Sequence, residues 1–390
     1  MTERRVWSQE QIEIFIFMVT ATVFAMLMRF TLFPFESWDY HQFLKGWYAM
    51  LKANGGFAAV GLDIGNYTPA YLYFLAFFTY FPISDLAAIK LISCAADLVL
   101  AVYVMKIVRL KYQEPFYGAI AYAAVLFLPG IFLNSAVWGQ CDAIYTAALA
   151  AFVYYLMRGK ETPAVIAFSV SFAFKLQAIF LAPLLLLMVL KRRVRLGTLL
   201  FIPFVYLISV FPALLAGKSL WSLMTVYTAQ SKLYSQLVMS LPNLYTWIPS
   251  SEGQPAYLGT AGVLFAGGVV LMVLFWLYRR NFTVKPSSLA ALALLFTLLL
   301  PFVLPHMHER YFYPAEVFAL IFSFYFPKKF CVGVITELIC TYAESNYLFG
   351  TNFIGMQLLA VLVLGVLIAV GLQTAQSTRA SSLKRAGAAE

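Results

Sequence analysis

The residues of this chain that are equipped for chemistry are few and gather in short stretches. FPFESWDYHQF, residues 33–43, places Glu36, Asp39 and His41 beside Trp38 and Tyr40, just after the first long apolar run. Asp39 has two readings: a carboxylate that takes a proton from a hydroxyl, or a solvated acid in a loop. Trp and Tyr favour the membrane–water boundary. Partial desolvation there makes a carboxylate a stronger base. Glu36 and His41 lie close enough in sequence to assist it. The other two of the three histidines stand in HMHER, residues 306–310, with Glu309 and Arg310. Histidines two apart share a face of an extended segment but not of a helix. Arg offers a planar fork of donors for phosphate, and imidazole N–H groups add to it. The alternative for this stretch is a Glu309–Arg310 ion pair. A closed zinc site needs further Cys or His ligands. Cys94, Cys141, Cys331 and Cys340 show no C-x-x-C spacing and no His at ligand spacing, so they read as small apolar filler and no metal is expected.

Other polar groups interrupt otherwise apolar sequence. NSAVWGQCDAIY, residues 134–145, carries Trp138, Gln140 and Asp142; NYTPAYLY carries Tyr67; FAFKLQAIF carries Lys175. Lys175 and Arg29 either snorkel to the interface or turn into a site. A charge at bilayer depth costs about 2.5–3.5 kcal/mol on insertion scales. Asp97 and Glu337 lie within apolar runs, so they are expected to hydrogen-bond to neighbouring helices.

The elements that must position these groups follow from composition. Hydrophobic residues make up 62% of the 390 and charged residues 11%, against about 25% charged in a soluble domain. Apolar runs long enough to span about 30 Å of hydrocarbon recur throughout. The expectation is an all-α polytopic membrane protein, one integral membrane domain over residues 1–390. Twelve transmembrane helices are expected near 12–34, 86–108, 115–134, 142–157, 162–177, 178–190, 196–216, 256–278, 286–305, 313–327, 330–347 and 353–373. The aromatic segment 67–81 is read as interfacial, because letting it cross would send most later Lys and Arg to the outer side. Both termini are then cytoplasmic, with an uncleaved first span led by Arg4 and Arg5 and a cytoplasmic tail over 374–390 that includes Lys384 and Arg385. The formal charge of +10 fits this inside bias and calls for a lipid bilayer, not a nucleic acid, as partner. The outer segments 35–85, 134–145, 217–255 and 304–314 then face one compartment and can line one cavity.

There is no GxxxxGK[ST] and no strand-linked GxGxxG in the sequence. An outward-facing site has no access to cytosolic nucleotides, so group transfer there needs a donor that resides in the membrane. The ordered set ESWDYHQFLKGWY, NYTPAYLY, IKLISCAADLVLA, WGQCDAIY, FAFKLQAIFLAP and HMHERYFYPA resembles the GT-C glycosyltransferases. It is most similar to the bacterial branch related to the mannosyltransferases of GPI-anchor assembly. The resemblance implies a GT-C-like fold and an inverting hexosyltransferase that needs no cofactor. It implies a polyprenyl-phosphate-linked sugar such as mannose as donor, and a lipid or glycan acceptor at the outer face of the cell membrane. It also implies Asp39 as catalytic base, and His306 or His308 with Arg310, and Lys175 as a further candidate, at the donor phosphate. Trp38, Tyr40, Tyr67, Trp138, Gln140, Asp142 and Glu309 would line the substrate cavity. Relatives commonly carry Gly where this chain has Trp38, and often two prolines where NYTPAYLY has one. The rival reading is a secondary transporter or flippase. Asp97 and Glu337 fit it, whereas the absence of repeated halves and the aromatic outer segments do not.

Overall fold

A computed structural model describes residues 8–231, 233, 236–248 and 256–379. Arg4, Arg5, Lys384 and Arg385 lie outside the described residues, as does part of the 217–255 segment. The described chain is helical almost throughout. It begins with α1 (Gln9–Leu32), whose Ser8 cap accepts from the Gln11 amide at 3.2 Å while the Gln11 side chain accepts from the Ser8 amide at 3.1 Å. That reciprocal pair satisfies two of the donors left over at a helix start. The segment 35–85 folds into α2 (Lys45–Ala53) and α3 (Pro69–Phe78), followed by α4 (Asp85–Val108). Next come α5 (Pro115–Phe127), α6 (Pro129–Phe132), α7 (Asp142–Met157), α8 (Glu161–Phe174) and α9 (Ala182–Leu190). The second half holds α10 (Phe201–Leu215), α11 (Leu220–Gln230), α12 (Ala256–Arg279), α13 (Pro286–Val303), α14 (Tyr313–Tyr325), α15 (Phe330–Phe349) and α16 (Met356–Ser377). Two dipeptide strands, β1 (Val238–Met239) and β2 (Met307–His308), pair in parallel.

The count of twelve spans is not reached by length and apolarity. Six described helical segments meet both criteria: 9–32, 85–108, 196–215, 257–279, 286–303 and 356–377. A seventh results if α5 and the segment from Pro129 to Trp138, bent by 51°, are one broken span. Leu128, held extended before Pro129, makes the break, because a residue preceding proline is disfavoured in the helical region. The stretches expected near 142–157, 162–177, 178–190 and 313–327 form helices of 16, 14, 9 and 13 residues. The α3 helix has ten residues and buries Tyr71, Leu72 and Leu75 against the aromatic cluster of the 35–85 segment.

The core is built around α4, α7, α13 and α14. Fifteen of the 18 residues of α13 are buried, so it is apolar on every side, as an enclosed helix must be. By contrast α1 buries only Ala21, Ala25 and Arg29, one stripe at four-residue spacing, and turns Phe15, Ile16 and Phe24 outward. Arg29 is wholly buried. Its Nε and Nη2 each lie 3.0 Å from Asp97 Oδ2, and Nη1 donates to the Leu126 carbonyl at 2.8 Å. Ser135 donates to the same Asp97 oxygen at 2.6 Å. Asp97 is therefore an inter-helix anchor joining α1, α4 and the 133–138 segment.

Removing one partner of a buried pair costs about 3–5 kcal/mol, whereas replacing both with apolar groups is often neutral. Asp97→Leu alone is expected to lower the melting temperature in detergent sharply. Arg29→Met with Asp97→Leu should recover most of that loss; if the double variant melted lower than the single one, the pair would not be the anchor described here.

Candidate functional site

A cavity of about 960 Å³ opens between the 35–85 segment, the α8–α9 break and the loop between α13 and α14. Three backbone irregularities deliver its polar groups. The first is the 133–138 segment, a single wide π turn that ends at Gly139 with φ 78°. A left-handed residue there suits glycine, and it reverses the chain so that Gln140 reaches the cavity wall while Asp142 starts α7. The second is Lys175, extended at φ −152° and ψ 139° between α8 and a 3-10 turn over Leu176–Leu181. This break carries the ammonium inward, so Lys175 does not snorkel. The third is the segment from Pro305 to Arg310, pinned by the β1–β2 pairing and by an amide bond of 2.8 Å from His306 to the Leu237 carbonyl.

Asp39 lines the cavity and is 8% exposed. Its Oδ2 accepts from Trp138 Nε1 at 2.5 Å and from Gln140 Nε2 at 3.1 Å. Two donors on one oxygen fix the carboxylate plane. Trp138 is fully buried and stacks on Tyr347 with ring centroids 4.8 Å apart. Tyr347 also lines the cavity, beside Asp39. It closes the α15 side of the site and was missed from sequence; the polar run AESNY near the end of an apolar stretch was its one signal.

The same cavity holds a set of coupled charges. Lys175 donates to Asp142 Oδ1, and its ammonium lies 5.4 Å from the Tyr67 ring centroid. Arg310 Nε lies 3.7 Å from Asp142 Oδ2, too far for a hydrogen bond, and has no acceptor among the described residues. Its Nη1 donates to Glu309 Oε1 at 3.2 Å, and its guanidinium lies 5.3 Å from the Trp138 ring centroid. The Glu309–Arg310 pair exists, yet both side chains face the cavity. Burial pushes Glu309 up to about 7, opposed chiefly by Arg310. Below that pH Glu309 is largely protonated, and Arg310 then loses one of the carboxylates that offset its charge, which leaves the guanidinium freer to take an anion.

Several expected site residues stand elsewhere. Glu36 and His41 pair with each other at 2.8 Å, both about half exposed and neither on the cavity wall. The Tyr40 hydroxyl donates to Asp85 at 3.0 Å, away from the cavity. Trp138 and Asp142 lie behind the wall, acting on Asp39, Lys175 and Arg310 instead of lining the space. Trp38, Tyr67 and Gln140 do line it. His306, at φ 61°, has Nδ1 2.7 Å from the Gln236 carbonyl and its Nε2 against Gly259 of α12. It therefore holds the strap formed by β1 more than it offers donors to a ligand. Burial lowers His308 well below the usual imidazole range, with Arg310 and Lys175 adding to the effect. A neutral His308 can hydrogen-bond to phosphate but adds no charge. No group of three or more His, Cys, Asp or Glu among the described residues is arranged to hold a metal ion.

The model of glycosyltransferase family 87 matches residues 66–305, more than half of the chain. The chain belongs to glycosyltransferase family 87. No curated protein matches it. Membership is consistent with a GT-C-like membrane glycosyltransferase and favours group transfer over solute transport. The matched span takes in Tyr67, Gln140, Asp142 and Lys175; Asp39 precedes it and Arg310 follows it.

The raised Glu309 has a consequence for stability. The unfolded chain ionises near the ordinary value of 4.5 and the folded protein near 7, so stability falls as pH rises across that window. The wild type is expected to lose stability relative to Glu309→Gln between roughly pH 4.5 and pH 7, and the difference should level off above it. Melting curves of both proteins across that range check this; a difference independent of pH would mean that Glu309 is ionised throughout.

Proposed function

We propose that this member of family 87 is an inverting hexosyltransferase whose donor is a polyprenyl-phosphate-linked sugar, mannose or another hexose, and that it acts at the outer face of the cell membrane. The observation that carries the reading is Asp39, fixed by Trp138 and Gln140 on the wall of a cavity that Arg310 and Lys175 also line. An acid and a pair of cations sharing one cavity suit a hydroxyl nucleophile and a phosphate leaving group. The acceptor hydroxyl attacks the anomeric carbon, Asp39 takes its proton, and the bond from that carbon to the phosphate oxygen breaks. The electron pair leaves with polyprenyl phosphate, and a single displacement inverts the anomeric centre. The leaving group gains charge as the bond breaks. Arg310, with an Nε lacking an acceptor, and Lys175 therefore stabilise the transition state more than the bound donor. His308 would contribute a neutral hydrogen bond. The mannose assignment draws on the resemblance to the GPI-anchor branch and on nothing in the cavity. Twelve crossings with both termini inside would put the outer segments 35–85 and 304–314 on one side. In that topology the shorter helices α7, α8, α9 and α14 also cross, sheltered by their neighbours.

Asp39→Asn keeps the shape and hydrogen bonds of the side chain but cannot accept the proton. General-base help is worth about 10²–10⁴-fold. Turnover with a polyprenyl-phosphate hexose should drop by about that factor while donor binding stays near wild type. Unchanged turnover would remove Asp39 as the base. Arg310→Ala should raise the donor KM and lower kcat, and Arg310→Lys should restore only part of both, because a point charge does not reproduce the guanidinium fork. Full activity of Arg310→Ala at limiting donor would place the phosphate elsewhere.

A further inference from the structure

The stretch IKLISCAADLVLA places Lys90 in the second turn of α4. Lys90 is wholly buried and does not line the cavity. Its ammonium donates to the carbonyls of Phe35 at 2.6 Å, Phe33 at 2.9 Å and Leu32 at 3.4 Å. An ammonium has three donors and no acceptor, so all three are taken up by the backbone where α1 ends. That backbone needs an outside donor. The last carbonyls of a helix lack partners within it and carry partial negative charge. Pro34 lies among them and has no amide hydrogen with which to hold the turn. Lys90 therefore gathers the chain as it leaves α1, a few residues before Asp39.

The same side chain reaches the partners of Asp39. A Cβ on Gly139 would lie 3.7 Å from Lys90 Cγ and 3.3 Å from Ile89 Cγ2. The stem of Lys90 thus packs against the turn that delivers Trp138 and Gln140, the two donors to Asp39 Oδ2. Ser37 clasps the two parts together: its hydroxyl donates to the Trp138 carbonyl at 2.9 Å and accepts from the Tyr40 amide at 3.2 Å. Phe35 meets Phe349 of α15 edge-on, with ring centroids 5.5 Å apart. The carboxylate and its donors come from two separate segments of the chain, and Lys90 touches both.

We infer that Lys90 is a positioning residue for the transfer reaction. By holding the carbonyls at the end of α1 and the Gly139 turn together, it sets the separation between Asp39 and its Trp138 and Gln140 donors, and so the direction in which the carboxylate faces the cavity. This rests on the transferase reading above, in which Asp39 takes the proton. A displacement of about 1 Å at a reacting group can cost about 10²-fold in rate.

The test begins with Lys90→Met, which keeps the stem and removes the donors. In detergent-solubilised full-length protein, with a polyprenyl-phosphate hexose as donor, kcat should fall about 10- to 100-fold. The donor KM should stay within about twofold of wild type, because Arg310 and Lys175 are held by other contacts. Lys111→Met is the control for a purely structural loss. Lys111 makes the same kind of cap at the end of α14, donating to the Phe324 carbonyl at 2.7 Å and the Tyr325 carbonyl at 3.0 Å. Its loss should lower the melting temperature and leave kcat unchanged. Lys90→Met added to Asp39→Asn should cost less than about twofold further, since no base is left to misplace. Unchanged kcat in Lys90→Met, an equal fall in Lys111→Met, or a full second fall in the double variant would overturn the inference. Lys90→Gln keeps an amide N–H group on a shorter stem and should show a smaller fall of the same kind; it carries the test if Lys90→Met does not fold. The indole N–H resonance of Trp138, in protein carrying isotope-labelled tryptophan and assigned by its loss in Trp138→Phe, reads the same geometry without donor. It should move upfield in Lys90→Met and Lys90→Gln as the bond to Asp39 lengthens, and stay in place in Lys111→Met. That shift supports the placement of Asp39 by Lys90 even if Asp39→Asn keeps its turnover and the base reading fails. An unmoved resonance refutes it, whatever the donor.

Discussion

The site depends on one electrostatic constraint: two cations held close together in a protein of mostly apolar residues. Lys175 and Arg310 both approach Asp142, one on each of its oxygens. Like charges in a weakly screening environment repel strongly, and each alone pays a desolvation cost of several kcal/mol. Asp142 offsets both at once, and it is itself held by Asn134, whose Nδ2 donates to Oδ2 at 3.0 Å. The geometry of the cavity follows from this. Because Asp142 is the first residue of α7, the chain before it must turn sharply, and Gly139 supplies the turn. That turn brings Trp138 and Gln140 to Asp39 and ties the acid to the cationic wall through a few residues of backbone.

The break at Lys175 serves the same end. A straight helix through residue 175 would carry the ammonium along a helix face, where it could only snorkel. The extended residue between α8 and the following 3-10 turn projects it into the cavity beside the Tyr67 and Tyr145 rings. The loop to Arg310 is fixed differently, by pairing with β1 and by the His306 bonds to Leu237 and Gln236. The basic groups thus arrive from rigid irregularities in two separate parts of the chain, and the space between them is left open.

Around this centre the helices divide by burial. α13, closed in on all sides, and α4, anchored to α1 through Arg29 and Asp97, form the frame. α1 and α12 present broad apolar faces with Phe24 and Phe275 exposed, the pattern of a protein whose surroundings are as apolar as its core. The 35–85 segment is not a loose loop. Tyr48, Trp47, Leu51 and Tyr71 form a small core of their own on the end of α4, which is why Asp39, at its edge, has a fixed position.

The sequence by itself determined the class of protein, the helical content and the stretches that hold the chemistry. Apolar run length and charge fraction are properties of composition and survive any packing. FESWDYHQF, WGQCDAIY, FAFKLQAIF and HMHER were all legible because polar groups in apolar sequence stand out. Tertiary structure alone decided which members of each stretch meet. Asp39 faces the cavity, while Glu36 and His41, two or three residues away, pair with each other outside it. A helical or π turn sends neighbouring side chains to different faces, and the face is chosen by what packs behind it. Hydropathy reads short helices such as α8 and α9 as spans; their lengths are set by the extended Lys175 and the 3-10 turn that follows it, a break that sequence alone does not mark. Tyr347 had no local signal strong enough to mark it. Its role arises from its contact with Trp138, distant in sequence and brought to it only by packing.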